Sequence, residues 1–301
     1  MDYKKILKSR KLRLKILSFL SFVPDKTMLK LQYRIKTGHS LNLKNPKRYT
    51  EKLQWYKLYY KNPLMIKCVD KYDVRDYVKS KGLDEILIPC YGVFDSVSDI
   101  RWNDLPSKFV MKDTLGSGGN TVIVVNGNLN EKIPVLKREA FKWTCIEHKR
   151  KDAGREWPYY SGKKHRVLIE ELLETQGENG LLDYKFFCFN GSVLFVYVMG
   201  NRNIGESVCV SIFDRNFKQL NVRRDGDNLL NNIIKPDNFE KMVEIAECLS
   251  IDFPHVRVDL YNNNGIIKFG ELTFYNASGY MKYVPDKFDY IVGNNFKLIY
   301  N

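Results

Sequence analysis

Apolar and polar positions fall into three textures along the 301 residues. In the first, Ile6, Leu7, Leu14 and Leu17 gather on one side of a helix drawn at about 100° per residue, while Lys4, Lys8, Lys11 and Lys15 gather on another. Arg10 and Arg13 interrupt the apolar side. The pattern therefore predicts a basic amphipathic helix, which either meets a membrane surface or docks on the body of the protein. The apolar run from Ile16 to Val23 is shorter than the about 20 residues a bilayer span needs, and it lacks the small-residue cleavage site of a signal peptide.

The second texture, from Pro24 to Pro63, is helical and aromatic, with Leu53, Trp55, Tyr56, Leu58 and Tyr59 near its end. A further helix is expected from about Pro63 through Lys81, closed by Gly82. After that come short β-rich runs: Ile86 to Val93, Phe109 to Lys112, Thr121 to Val125, Val167 to Leu173, Tyr184 to Phe189, Val193 to Met199 and Val208 to Asp214. Asn190-Gly191 between two of them signals a two-residue hairpin. A helix from about Asn238 to Leu249 precedes two strands, His255 to Tyr261 and Ile266 to Phe274, joined by Asn262-Asn263-Asn264-Gly265.

Length suggests one bilobal unit with an extension, and 44% hydrophobic with 13% aromatic residues implies an ordered core and excludes a disordered basic tail. The net charge of +14 implies an anionic partner, and nucleotide, acidic glycan, lipid headgroups and nucleic acid satisfy it equally. Cys68, Cys90, Cys145, Cys188, Cys209 and Cys248 lie too far apart for a zinc or redox motif, so buried free thiols and a cytosolic location are expected.

Two segments carry chemistry. In FVMKDTLGSGGNTVIVV, Phe109 to Val125, a strand ends at Lys112, a loop carries Gly116, Ser117, Gly118 and Gly119, and a second strand follows. Glycines let backbone amides approach phosphate oxygens, and lysine adds a point charge; an ordinary glycine-rich hairpin is the alternative. A Walker loop is excluded because a strand, not a helix, follows Asn120-Thr121. A protein kinase is excluded because its lysine follows the loop, whereas Lys112 precedes it. In HVRVDLYNNNGIIKFGELTFYNASGY, His255 to Tyr280, Asp259 and Glu271 sit on adjacent expected strands, with Arg257 on the same face as Asp259. Paired carboxylates suit magnesium completed by nucleotide phosphates. A simple hairpin register pairs Asp259 near Lys268, so a bulge or diagonal reach is needed, and a solvated charged hairpin is the alternative. Between the two lies RVLIEELLE, Arg166 to Glu174, a strand running into acidic residues.

With LNLKNPKRYTEKLQWYKLYY, VDKYDVRDYV, FVMKDTLGSGG, REWPYY, IEELLE, LDYKFFCFNG, RVDLY and FGELTFYNASGY in this order, the sequence resembles the ATP-grasp superfamily, in particular its TupA-like branch, named after teichuronopeptide synthesis, from about Tyr33 to Gly293. The resemblance implies an α+β fold of two lobes, each with a mostly antiparallel sheet and helices, nucleotide between the lobes and a helical extension in front. It implies domains at 1–62, 63–166 and 167–301. It also implies that Lys71 and Lys112 contact ATP phosphates under the loop Gly116, Ser117, Gly118, Gly119 and Asn120. Glu170 would meet the adenine, Glu171, Leu172 and Leu173 would form the backbone hinge, and Asp183 would fall at the ribose. Asp259 and Glu271 would ligate magnesium, with Thr273 where the superfamily often has a ligating Asn, and Arg257 would steady the acyl phosphate.

The expected activity is ATP-dependent joining of a carboxylate, as on a uronic acid of a surface or capsular polysaccharide, to an amine, with ATP and Mg2+ as cofactors. The partners expected are a carboxylate-bearing saccharide and a small amine, with no nucleic acid. The expected location is cytoplasmic, with peripheral contact at the membrane face. The rival readings are a glycosyltransferase using Asp225-Gly226-Asp227 as a DxD metal motif, and a basic membrane- or nucleic-acid-binding module.

Overall fold

The computed structural model describes residues 9–116, 121–146, 154–173, 180–200 and 209–299, which form two compact units. The larger contains residues 9–62, 154–157, 180–200 and 209–299, and the smaller residues 63–116, 121–146 and 158–173.

The larger unit begins with α1 (Arg10–Phe19), whose N-cap Ser9 accepts from Leu12 N through Oγ at 3.3 Å. Of the basic amphipathic pattern, Lys4, Ile6, Leu7 and Lys8 lie outside the described residues. Leu12, Ile16, Phe19 and Phe22 are exposed. Helix α2 (Asp25–Thr37) ends where Gly38 takes a left-handed φ of 85°. Arg155, in REWPYY, ties this region down by donating to the carbonyls of Leu20 (2.8 Å) and Ser21 (3.1 Å) and pairing with Asp25 at 3.0 Å. Helix α3 (Tyr49–Tyr59) buries Tyr49, Leu53, Trp55, Tyr56 and Lys57 and so needs cover on several sides. Leu29, Tyr33, Leu41 and Leu43 pack with Trp55.

In the smaller unit the helix expected over Pro63–Lys81 is two, α4 (Leu64–Cys68) and α5 (Val74–Ser80). The break comes at Asp70, whose carboxylate accepts from Tyr72 N and Asp73 N, both at 2.9 Å, in place of a continuing helical ladder. Strands β1 (Cys90–Phe94), β2 (Lys108–Asp113) and β3 (Val122–Asn126), helix α6 (Leu129–Thr144) and strand β4 (Val167–Glu170) complete it. The sheet is antiparallel in the order β1-β4-β2-β3. Helix α6 has no counterpart among the expected elements, because Pro134 interrupts its pattern. It buries Leu136, Ala140 and Trp143 against Phe109, Met111 and Ile169. The sequence-based division at 166/167 separates β4 from its partners, whereas pairing to β1 and β2 holds it in the smaller unit.

The larger unit resumes with β5 (Asp183–Phe189) and β6 (Ser192–Gly200), joined at Asn190 and Gly191 with φ of 51° and 79°, the left-handed pair of a tight hairpin. Then come β7 (Cys209–Asp214), the short β8 (Arg223–Arg224), α7 (Phe239–Ser250), β9 (His255–Asn263), β10 (Ile266–Thr273), the short β11 (Tyr283–Val284) and α8 (Lys287–Asn295). Five strands form an antiparallel sheet in the order β10-β9-β5-β6-β7. Phe186 faces Phe239 of α7, with ring centroids 5.8 Å apart; Phe187 and Phe189, on the other face, meet Tyr49 of α3 at 6.4 and 5.7 Å. Helix α3 thus packs into the same unit as the sheet, although the sequence placed it in a separate extension. All six cysteines are free; Cys68 and Cys188 are buried as expected, but Cys145 is exposed.

At the centre of the α3 interface, His255 accepts the Tyr49 hydroxyl (2.9 Å) at Nε2 and donates from Nδ1 to the Cys188 carbonyl at 2.8 Å, a neutral ring. Burial pushes its pKa from 6.5 down to about 3. Between those values the unfolded chain binds one more proton than the folded one, so stability falls as pH drops through that window. Urea unfolding should report about 2 kcal/mol less stability from this group at about pH 5 than at about pH 6.5. The His255→Phe variant should lose that difference; a variant that keeps it would rule out His255 as the source.

Candidate active site

The β9–β10 hairpin closes on Asn264 and Gly265, with φ of 51° and 84°, so Asn263 pairs with Ile266 and Leu260 with Phe269. This corrects the sequence-derived register by two residues: Lys268 lies opposite Tyr261, not Asp259. A bulge at Gly270 then brings Glu271 directly opposite Asp259. A Cβ on Gly270 would stand 3.0 Å from the Asp259 carbonyl oxygen, so glycine is the residue that lets the strand bend there.

Strand alternation puts Arg257, Asp259, Glu271 and Thr273 on one face with Asp183 and Lys185 of β5, and Lys185 lies opposite Asp259. Arg257 grips Asp259 with two bonds of 2.6 Å, reaches Glu271 at 3.0 Å and Thr273 Oγ1 at 2.9 Å, and donates to Asn276 Oδ1. Lys185 pairs with Asp259 and, at 2.7 Å, with Asp183. Three carboxylates against two cations leave this cluster one negative charge in excess when all are ionised. Burial drives the pKa of Asp259 upward against the pull of Arg257 and Lys185, while Asp183 and Glu271 push it further up. Burial alone would weaken the protonation of Arg257, but Asp259 more than offsets it and holds the guanidinium charged.

Asp259 is buried, whereas the Glu271 side chain is 39% exposed and so offers the accessible oxygens. Thr273 Oγ1 donates to Glu271 at 3.1 Å while accepting from Arg257, which aims the glutamate. Among the described residues no group of three or more His, Cys, Asp or Glu is arranged to hold a metal. The donor set fits magnesium in another way: two facing carboxylates, one outward, in a cluster of net negative charge, a partial set of the kind that phosphate oxygens complete. Asp183, expected at the ribose, is buried and packed against Lys185.

Sequence reasoning missed Lys185 and Asn276. The signal for Lys185 was its alternation with Asp183 in an otherwise apolar strand. Asn276 stands in a segment where Ala277, Ser278 and Gly279 all have positive φ (44°, 53° and 68°). That strain is held by α3: Gln54 donates to the carbonyls of Ser278 and Gly279 at 3.0 and 2.9 Å, and buried Lys57 to Ser278 at 2.8 Å. The amide Nδ2 of Asn276 is buried without a hydrogen-bond partner among the described residues.

In the smaller unit, Lys112 and Glu170 lie on neighbouring strands and form an ion pair. Lys71 donates its backbone N–H to Thr114 O at 2.9 Å and its ammonium to Gly116 O, which seats it at the neck of the glycine loop. A Cβ on Gly116 would lie 1.7 Å from Thr121 Oγ1, so the neck admits only glycine. Ser117, Gly118, Gly119, Asn120 and Glu174 lie outside the described residues. Arg166, unremarked in the sequence, spans Asp70 (2.9 Å) and Asp73 (2.7 Å), and Lys163 pairs with Asp73; together they fix the turn that carries Lys71. Burial raises the pKa of Asp73, but these two cations outweigh it and hold the group below its ordinary value. After β4, Glu171 N donates to Pro89 O at 2.9 Å; Glu171 is exposed, Leu172 and Leu173 half-buried. Asp227 of the rival DxD motif is engaged by Arg224 in a tight turn.

Residues 51–297 match the model of the TupA-like ATP-grasp family. No curated protein matches the chain in sequence. Among solved structures, D-alanine–D-alanine ligase from Bacillus anthracis is 18% identical with a TM-score of 0.43, over 69% of this chain and 57% of that one. N5-carboxyaminoimidazole synthetase from Staphylococcus aureus, in complex with ADP, is 13% identical with a TM-score of 0.42, over 84% and 59%. Biotin carboxylase from Campylobacter jejuni is 13% identical with a TM-score of 0.41, over 78% and 48%. The chain thus spans little more than half the length of the first of these. On the sequence match over residues 51–297, the chain belongs to the TupA-like ATP-grasp family.

Proposed function

We propose that the protein is an ATP-dependent ligase that joins a carboxylate to an amine. The observation that carries this reading is the bulge at Gly270, which sets Glu271 opposite Asp259 beside Arg257. Lys71 and Lys112 bind ATP phosphates, Gly116 with Ser117, Gly118, Gly119 and Asn120 covers them, and Glu170 to Leu173 meet the adenine. Asp259 and Glu271 would hold magnesium, which when bound would supply positive charge against the phosphates.

A carboxylate oxygen of the substrate attacks the γ-phosphorus; the bond to the β,γ-bridging oxygen breaks, leaving ADP and an acyl phosphate. The amine nitrogen then attacks the acyl carbon, phosphate departs with the carbon–oxygen bonding pair, and the nitrogen loses a proton to give the amide. Arg257 stabilises charge on the acyl phosphate and its tetrahedral adduct. Lys185 and Asp183 keep Asp259 in place.

The carboxylate substrate in this proposal is a uronic acid of a surface polysaccharide, and the support for it is the family resemblance together with the +14 charge. Exposed Leu12, Ile16, Phe19 and Phe22 beside a basic sequence support peripheral contact with the cytoplasmic membrane face. No described helix is long and apolar enough to cross a membrane.

Release of ADP from magnesium-ATP should require both a uronic acid and an amine; release that ignores either would end the ligase reading. Glu271→Gln should lower turnover on the order of 100-fold or more with an unchanged melting temperature, and normal turnover would remove the metal assignment. Gly270→Val should displace Glu271 and lower kcat on the order of 100-fold while ATP binding persists. Wild-type kcat in that variant would show that the bulge does not position the carboxylate.

A further inference from the structure

The segment LNLKNPKRYTEKLQWYKLYY reaches the site described above only through Gln54 and Lys57, yet it builds most of a cavity of about 340 Å³ in the larger unit. It is lined by Lys26 and Lys30 of α2, by Ser40 and the run Leu41 to Lys44 of the following loop, in which Leu41 and Leu43 are apolar, and by Tyr59 at the end of α3.

Charge is the first reason to read this as a ligand site. Lys26 and Lys30 lie one helical turn apart and project to the same side. Among the described residues, no carboxylate pairs with them or with Lys44. Ammonium groups gathered around one concavity without acidic partners repel each other, and a bound anion relieves that repulsion.

Preorganisation is the second. The loop bearing Lys44 is clamped by Glu51, whose buried carboxylate accepts from Asn42 N (3.1 Å), Lys47 N (2.9 Å) and Arg48 N (3.1 Å). Asn42 Oδ1 takes the N–H groups of Lys44 (3.1 Å) and Asn45 (3.0 Å), and Leu41 and Leu43 are buried against Leu29, Tyr33 and Trp55. The lysine backbone is therefore positioned before any ligand arrives. Shape is the third. The Tyr59 ring is held by Trp55, with centroids 5.2 Å apart, while the residue stays 45% exposed. A fixed aromatic surface beside hydroxyl and amide groups suits the C–H face and hydroxyls of a pyranose better than a bare inorganic anion.

We propose that this cavity binds an anionic saccharide, with Lys26, Lys30 and Lys44 on its carboxylate or phosphate groups and Tyr59 against a sugar ring. The proposal shares its ligand class with the ligase reading and deepens it with a second place for the saccharide, on residues not assigned to nucleotide, metal or acyl transfer. Binding is accordingly measured without ATP, where a failure of the ligase chemistry has no influence.

Calorimetric titration of the full chain would use a hyaluronan tetrasaccharide, glucose 1-phosphate, a neutral cellotetraose and inorganic phosphate, with anionic phospholipid vesicles as a further arm. An anionic sugar should bind and the neutral one should not; the uronate and sugar-phosphate arms tell which anion is preferred. Joint Lys26→Glu and Lys30→Glu substitution should weaken that binding by about tenfold or more, as should Tyr59→Ala, whereas Tyr59→Phe should retain it. All these positions are exposed, so melting temperatures should hold. Unchanged affinity in the lysine or Tyr59→Ala variants would overturn the proposal. So would inorganic phosphate binding as tightly as either sugar, or vesicle binding without saccharide binding.

Discussion

Arg257 and Asp259 stand two residues apart on one strand, and their buried bidentate pair organises the polar end of the larger sheet. Neither charge tolerates desolvation alone, and a buried pair holds only when its remaining donors and acceptors are also met. That requirement explains the neighbours: Asn276, Glu271 and Thr273 accept the other guanidinium bonds, and Lys185 takes the second side of Asp259. Glu271 is both a partner in this network and its exposed edge.

The same sheet face changes character along its strands. Toward one end, His255, Tyr49, Phe189 and Phe296 form an aromatic block with a neutral histidine; toward the other, alternation along β5 and β9 brings Asp183, Lys185, Arg257 and Asp259 together. Helix α3 joins the two. Its Tyr49 and Tyr56 pack on the aromatic end, while Gln54 and Lys57 hold the left-handed turn after Asn276. A strained segment persists only where its surroundings over-determine it, and here a helix from the amino-terminal part of the chain supplies the restraint.

Much of this was legible from local patterns. The strands from Tyr184 to Asp214, the Asn190-Gly191 hairpin, the helix before His255 and the hairpin around Lys112 all follow from short-range periodicity and turn chemistry. Errors arose where a side chain competed with the backbone or where a partner was distant in sequence. Asp70 broke the helix beyond Pro63, Pro134 hid α6, and β4 went to the smaller sheet because its partners precede it by dozens of residues. Lys185 was overlooked as a site residue for a similar reason: its neighbour Asp183 is local, but its second carboxylate partner, Asp259, lies 74 positions away.

The sequence by itself determined which residue types were available and on which strand face they stand, because side-chain alternation and Asn-Gly turns are local properties. It therefore named Arg257, Asp259 and Glu271 as one cluster and Lys112 at the end of a strand before a glycine loop, whereas Lys71 entered only through the family resemblance. Tertiary structure decided the register. The two-residue turn at Asn264-Gly265 set the pairing, and the bulge at Gly270 moved Glu271 into line with Asp259. A bulge forms only where cross-strand packing and buried charge favour one extra residue, and part of that force comes from outside the hairpin, from Lys185 and Asp183 of β5 beside Asp259.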